Sequence, residues 1–395
     1  MMKDNYILYG SAPSWATAKV RSYMRKQCIP FVERPPGDPR FAEKIMPVVM
    51  RNIMPVLETP DGTIIQDTAD IIDYFEHKTG TNDEKVLLPA TPESGLIRAL
   101  THFFDMCCYD ALLRPVLYFR WNFPDDNLEY VKNEFSSTYL PPDADEKAKE
   151  QMFEWARTVT ASFAKNVGVN AESIPLIEAS YSELLQLLVE HFKGQPYLLG
   201  GRPTYGDYGL IASLYAHLYR DPYPAKLMRQ QAPEVARWVE RMSGPGQYLW
   251  DHPDSTEDLI ADNAVPDTLK NLMRYFAEEY LPEITAHAIF ANDWLDARPE
   301  LEPGTSGLVH LTGVLGRVEF DWRGIKLKTS VRMYNFYMLQ RFQDSVEAAS
   351  ESEQQAIQLL FEETGLSPLL KLKTHRRVER EKHLEVWGAD LRSVQ

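Results

Sequence analysis

The stretch Tyr6-Ile7-Leu8-Tyr9-Gly10-Ser11-Ala12-Pro13-Ser14-Trp15-Ala16-Thr17-Ala18-Lys19-Val20-Arg21 changes its period partway along. Its first four residues are aromatic or aliphatic and suit a buried strand, which Gly10 and Pro13 then punctuate. From Ser14 onward, Ala16, Ala18, Val20, Arg21 and Met24 follow a helical spacing, and Gln27-Cys28-Ile29-Pro30-Phe31-Val32 reads as a second strand with Cys28 buried at its start. The chain therefore opens strand, helix, strand.

Downstream, Met54-Pro55-Val56-Leu57-Glu58-Thr59 and Thr63-Ile64-Ile65-Gln66 flank Pro60-Asp61-Gly62, which predicts a hairpin. Asp67-Thr68-Ala69-Asp70 then opens a helix carrying Ile71, Ile72, Tyr74 and Phe75, with Thr68 expected as its N-cap and Asp70 in the favourable first turn. A compact αβ unit is expected to end near Gly80. Beyond the linker Leu88-Pro89-Ala90-Thr91-Pro92, helical periods run over Gly95 to Arg120, Ala144 to Lys165 and Ser173 to Lys193. Thr204 and Asp207 have the spacing of a capping box ahead of the apolar helix Tyr208 to Leu218. After about Gly244 come further helices and a hairpin, Val318 to Trp322 and Ile325 to Lys328, turning at Arg323-Gly324.

With 395 residues the chain exceeds what a single core usually serves, so two or three are expected. The net charge of -15 would repel a polyphosphate backbone or an anionic membrane surface, which argues against nucleic acid as the main partner. The basic run Lys371 to Arg377 is followed by Glu379, Glu381 and Glu385 and reads as a solvated helix face. Three cysteines, Cys28, Cys107 and Cys108, have neither metal-ligand spacing nor the even count of a disulfide scaffold, and no run reaches membrane-spanning length. The expectation is a cytoplasmic protein without a membrane span and without a metal.

The segment Leu8 to Ser14 with Lys19-Val20-Arg21 resembles the opening of serine-type glutathione transferases. That family also places a cis-proline before its third strand, matched by Met54-Pro55-Val56, and an acidic residue followed by Ser or Thr at the next helix, matched by Asp67-Thr68. The resemblance implies three parts: a thioredoxin-like βαβ-ββα domain over residues 1–83, an all-helical glutathione transferase C-terminal domain over 90–245, and a mostly helical extension over 251–395. It implies glutathione as co-substrate, an apolar electrophile as its partner, no nucleotide, a role in detoxification and assembly as a homodimer.

It also implies roles for single residues. Ser14 would hydrogen-bond the glutathione sulfur, Pro55 and Val56 would pair with the cysteinyl part, and Asp67 and Thr68 would meet the ammonium and carboxylate of the γ-glutamyl end. A thiol with a pKa of about 8.5 is roughly 3% ionised at pH 7. Lowering it by about two units takes roughly 2.7 kcal/mol, within reach of a helix N-terminus and one charge-assisted hydrogen bond. Each residue also has a plainer reading. Ser14 can simply cap its helix, Pro55 can simply shape the fold, and Asp67-Thr68 is a good cap without any ligand. Ser11 and Tyr9 are alternative hydroxyl donors, although the alternation of Tyr6 and Tyr9 suits packing. Trp15 stands where serine-type enzymes often carry a smaller residue, and would narrow the pocket or stack on a substrate. Cys107 and Cys108, among Phe103, Phe104, Met106 and Tyr109, read as core. The competing function is a non-catalytic binding or scaffold protein that keeps the fold, which the long extension favours.

Overall fold

A computed structural model describes residues 5–78, 87–246, 249–262, 264–308 and 313–394. The expected boundary near Gly80 lies outside the described residues.

The opening is strand β1 (Tyr6–Tyr9), helix α1 (Trp15–Lys26) and strand β2 (Phe31–Arg34), the first and last parallel. A short helix α2 (Met46–Val49) precedes the hairpin of β3 (Val56–Glu58) and β4 (Ile64–Gln66), and α3 (Thr68–Lys78) closes the unit. The sheet order is β2-β1-β3-β4, with β3 antiparallel to both neighbours. The two-residue period of β1 sorts its side chains between two cores. Tyr6 and Leu8 join Val20, Tyr23, Met24, Ile71 and Phe75 under α1 and α3, whereas Ile7 and Tyr9 face Phe41, Ile45 and Val49. This is a thioredoxin-like domain. Cys28 departs from the expectation: it ends the helix in the left-handed region, with φ of 53°, and is exposed, because the chain must turn before β2 can begin at Phe31.

The helical region holds α4 (Gly95–Asp110), α5 (Leu113–Trp121), α6 (Pro124–Tyr139), α7 (Glu146–Asn166), α8 (Ile174–Gly194), α9 (Tyr205–Ser213), α10 (Pro222–Gln231) and α11 (Pro233–Ser243). Asp207 accepts from Leu198 N–H at 2.9 Å and from Thr204 N–H at 3.0 Å, so the capping box forms as expected. Helices α4 and α9 lie nearly in backbone contact. A Cβ at Gly209 would stand 2.9 Å from the Asp105 Cα and 3.0 Å from its carbonyl oxygen.

The last third contains α12 (Asp267–Glu279), α13 (Leu281–Asp296), the hairpin β5 (Val314–Trp322) and β6 (Ile325–Arg332), α14 (Met333–Glu347), α15 (Glu351–Glu363), and a second hairpin, β7 (Arg376–Glu381) and β8 (Leu384–Asp390). Arg323 and Gly324, with φ of 45° and 85°, make the expected turn. The basic run ending at Arg377 is not a helix face. Its last two residues begin β7, and Arg376 is buried. This region packs as part of the whole rather than beside it. Phe103 of α4 meets Phe276, Phe342 and Phe361 at 6.4, 6.1 and 5.4 Å, and one contiguous core runs from Tyr6 to Trp387. Glu353 closes a capping box with Ser350 and also accepts from the Gly95 N–H at 2.7 Å, at the first residue of α4.

Candidate functional site at the first helix

Ser14 is the N-cap of α1, in extended backbone (φ -87°, ψ 119°), and its Oγ accepts from the Thr17 N–H at 3.2 Å. A hydroxyl that accepts from the helix behind it still has its own O–H to give to a group in front. The first turn of α1 carries no acidic side chain and its last turn carries Arg25 and Lys26, so no carboxylate of the helix neutralises the positive N-terminal end. The loop before it is held from several sides. Arg21 donates to the Ser11 carbonyl at 2.9 Å, and Arg120, paired with Asp221, reaches the Pro13 carbonyl at 3.4 Å. Gly10 has no room for a side chain, since a Cβ would fall 2.2 Å from Thr17 Cγ2.

Ser11 is buried, and its Oγ lies 3.3 Å from the sulfur of Met54, which joins this loop to the one before β3. The Met54-Pro55 bond is cis. Val56 does not offer the open edge expected of it. It is fully buried and stands in register with Tyr9 on one side and Gln66 on the other, so its backbone lies inside the sheet. The residue with free backbone groups is Met54, whose N–H and C=O make no hydrogen bond among the described residues. Tyr9 is buried and donates to Glu58 at 2.9 Å; burial and that carboxylate push its phenol well above the ordinary tyrosine range. It is committed to packing. Trp15 leans on Tyr109 at 5.7 Å, and Tyr109 in turn on Tyr334 of α14 at 6.0 Å.

At the start of α3 the cap is Asp67 rather than Thr68. Its Oδ1 accepts from the Ala69 N–H at 2.9 Å, with a φ of 99°, a conformation rare outside glycine. Both residues are covered, Asp67 at 7% exposure and Thr68 at 1%. The cover comes from the last third of the chain. The Tyr334 hydroxyl donates to Asp67 Oδ1 at 3.2 Å and lies 3.5 Å from Thr68 Oγ1. One turn on, Tyr337 donates to Asp70 at 3.2 Å, and Arg341 pairs with Asp73 at 2.6 Å. Arg380 of β7 donates to Asp70 at 2.9 Å and to the Gln66 side chain at 2.8 Å, while Arg51 pairs with Glu385 at 3.1 Å. Burial, followed by the neighbouring Asp67, raises the Asp70 carboxyl above its ordinary value.

Under the site, Lys19 and Asp105 form a pair at 2.6 and 2.8 Å with both side chains fully buried, tying α1 to α4. Met54, Tyr334, Arg380 and Asp105 carry no role that the sequence alone points to. A signal for the contact existed: Asp67, Asp70 and Asp73 share one helical face, as do Tyr334, Tyr337 and Arg341.

Residues 8–83 match the glutathione S-transferase N-terminal domain and residues 171–241 its C-terminal domain. The chain thus carries the two domains that make up the glutathione S-transferase superfamily fold, and about 150 further residues after them match neither model. Among solved structures, the beta-etherase LigF from Sphingobium sp. strain SYK-6 aligns at 16% identity and a TM-score of 0.40, over 60% of this chain and 94% of its own. The glutathione transferase GSTFuA3 from Phanerochaete chrysosporium gives 15%, 0.41, 61% and 96%. A glutathione S-transferase from Methylobacterium radiotolerans, in complex with glutathione sulfonate, gives 16%, 0.32, 62% and 97%. No curated protein matches the chain. No helix among the described residues is long and apolar enough to cross a membrane.

Proposed function

We propose that the chain is a glutathione transferase that holds reduced glutathione at the N-terminus of α1 and activates its thiol for attack on an apolar electrophile. The observation that carries this reading is Ser14 at a helix start free of acidic side chains, its Oγ accepting from Thr17. In the proposed complex the Ser14 O–H points to the sulfur, and the helix end favours the thiolate over the thiol. The free backbone groups of Met54 take the cysteinyl part as a short strand, in place of Val56. Pro55 shapes that loop, and Asp67 and Thr68 receive the γ-glutamyl ammonium and carboxylate. The thiolate then forms a bond to an electrophilic carbon, by addition or with loss of a leaving group. A cytoplasmic location and a homodimer belong to the same reading.

One observation favours the second reading, a non-catalytic member of the family: Tyr334 already occupies the Asp67-Thr68 end. Calorimetry with reduced glutathione on the intact chain, Thr68→Ala and Ser14→Ala, together with thiolate absorbance against pH, separates the two. The enzyme reading expects binding that weakens in Thr68→Ala and a bound-thiol pKa that rises in Ser14→Ala. No binding at millimolar glutathione would overturn it.

A further inference from the structure

We infer that Tyr334 is an intramolecular plug of the γ-glutamyl subsite, so that glutathione enters fully only when this side chain turns away. The inference rests on the glutathione reading above and adds a means of control to it.

Three observations carry it. First, the phenol makes contacts of the kind a γ-glutamyl group would need: its O–H serves the Asp67 carboxylate at 3.2 Å and stands 3.5 Å from the Thr68 hydroxyl. Thr68, at 1% exposure, is closed to solvent. Second, the same ring lies against Tyr109, which carries Trp15 beside Ser14, so one side chain reaches toward both ends of the proposed cleft. Third, the helix bearing it is anchored elsewhere. Met333, Phe336, Leu339 and Phe342 bury the opposite face of α14 in the main core, leaving Tyr334, Tyr337 and Arg341 directed at α3. The plug can therefore leave by a side-chain rotation in the first turn of α14, while the helix stays in place.

The neighbouring contacts define what this costs and what they hold. Arg341 on Asp73 and Arg380 on Asp70 keep α14 and β7 registered on α3 whether or not Tyr334 is seated. The phenol itself brings no charge to Asp67. An ammonium arriving there replaces a hydrogen bond with one charged partner by an ion pair with two, which gives the ligand an advantage over the plug.

The test is glutathione affinity of the full-length chain by calorimetry, comparing wild type, Tyr334→Phe and Tyr334→Ala, with Thr68→Ala added to each. Tyr334→Phe keeps the ring and drops the hydrogen bonds, so it secures the experiment if the alanine variant does not fold. The expected order is wild type weakest, phenylalanine tighter by about tenfold, the ratio attached to one such hydrogen bond, and alanine tightest, because the ring has gone as well. Adding Thr68→Ala should abolish the gain, showing that it arises at the γ-glutamyl end. Equal affinity in wild type and both variants would overturn the plug and leave glutathione binding standing. No binding by any of the three would overturn the glutathione reading, and the plug with it.

Discussion

Replacing Lys19 by methionine keeps the volume of the side chain and removes its charge, leaving the Asp105 carboxylate at the α1–α4 contact without its ammonium. Both groups have no exposed side-chain surface, so solvent cannot step in. Breaking such a buried pair costs about 3–5 kcal/mol. In a chain this long each kcal/mol moves the melting temperature by on the order of 1–2 °C, so a loss of roughly 3–10 °C is expected by calorimetry. The pH dependence identifies the cause. Burial already raises the Asp105 carboxyl, with Lys19 opposing it; without Lys19 the folded value rises further above the unfolded one of about 3.9. A carboxyl raised in the folded state favours folding when protonated, so the deficit is smallest near pH 4. It grows by up to about 1.4 kcal/mol per pH unit until the folded pKa is passed. The double change Lys19→Met with Asp105→Leu should recover most of the loss, since a well-packed apolar pair has no charge to desolvate. A deficit below about 1 kcal/mol that does not vary with pH, together with a double variant no better than the single, would refute this account.

Other outcomes follow from the same structure. Burial pushes His102 down to about 3 and His191 to about 4, and also lowers His217 and His287. The unfolded chain then binds more protons below pH 6.5, so stability is full above that value and falls as pH drops. Melting at pH 7 and pH 5 should show the loss, and His102→Leu should flatten it. Gly209→Ala forces a Cβ against the Asp105 backbone and should destabilise by about 1–3 kcal/mol in urea titration, whereas Gly194→Ala, in open space and without a positive φ, should not. A thiol reagent should modify Cys28 rapidly, and Cys107 and Cys108 only on unfolding, because burial raises both of their thiols far above the ordinary range. Ser14→Ala should cost about 1 kcal/mol through the lost cap alone, apart from any effect on a bound thiol.

The elements that were readable are those whose signals are local. A strand period broken by Gly10 and Pro13, a hairpin around Asp61-Gly62 and the Thr204–Asp207 capping box are each decided within a few residues. Where reading failed, a longer-range contact or the path of the chain was decisive. Val56 was assigned an open edge that the strands on both sides of β3 take up, and the edge falls to Met54. Thr68 was given the cap that Asp67 supplies from a positive φ, a conformation uncommon even for aspartate. The basic run before Arg377 looked helical by composition, but it enters a hairpin whose Trp387 is fully buried. Tyr334 was invisible as a site residue because its partners lie 266 and 267 positions away.

The contact between Glu353 and the Gly95 N–H gives the molecule a timetable. Its two residues are 258 positions apart. At a synthesis rate of about 5–20 residues per second, the carboxylate emerges roughly 13–50 s after the helix it caps. During that interval α4 has neither that partner for its first N–H nor the rings of Phe342 and Phe361 over Phe103. The nascent chain must therefore carry part of an apolar helix face uncovered while the remainder is made, and a message cut short before α14 would release a protein without those two rings over Phe103.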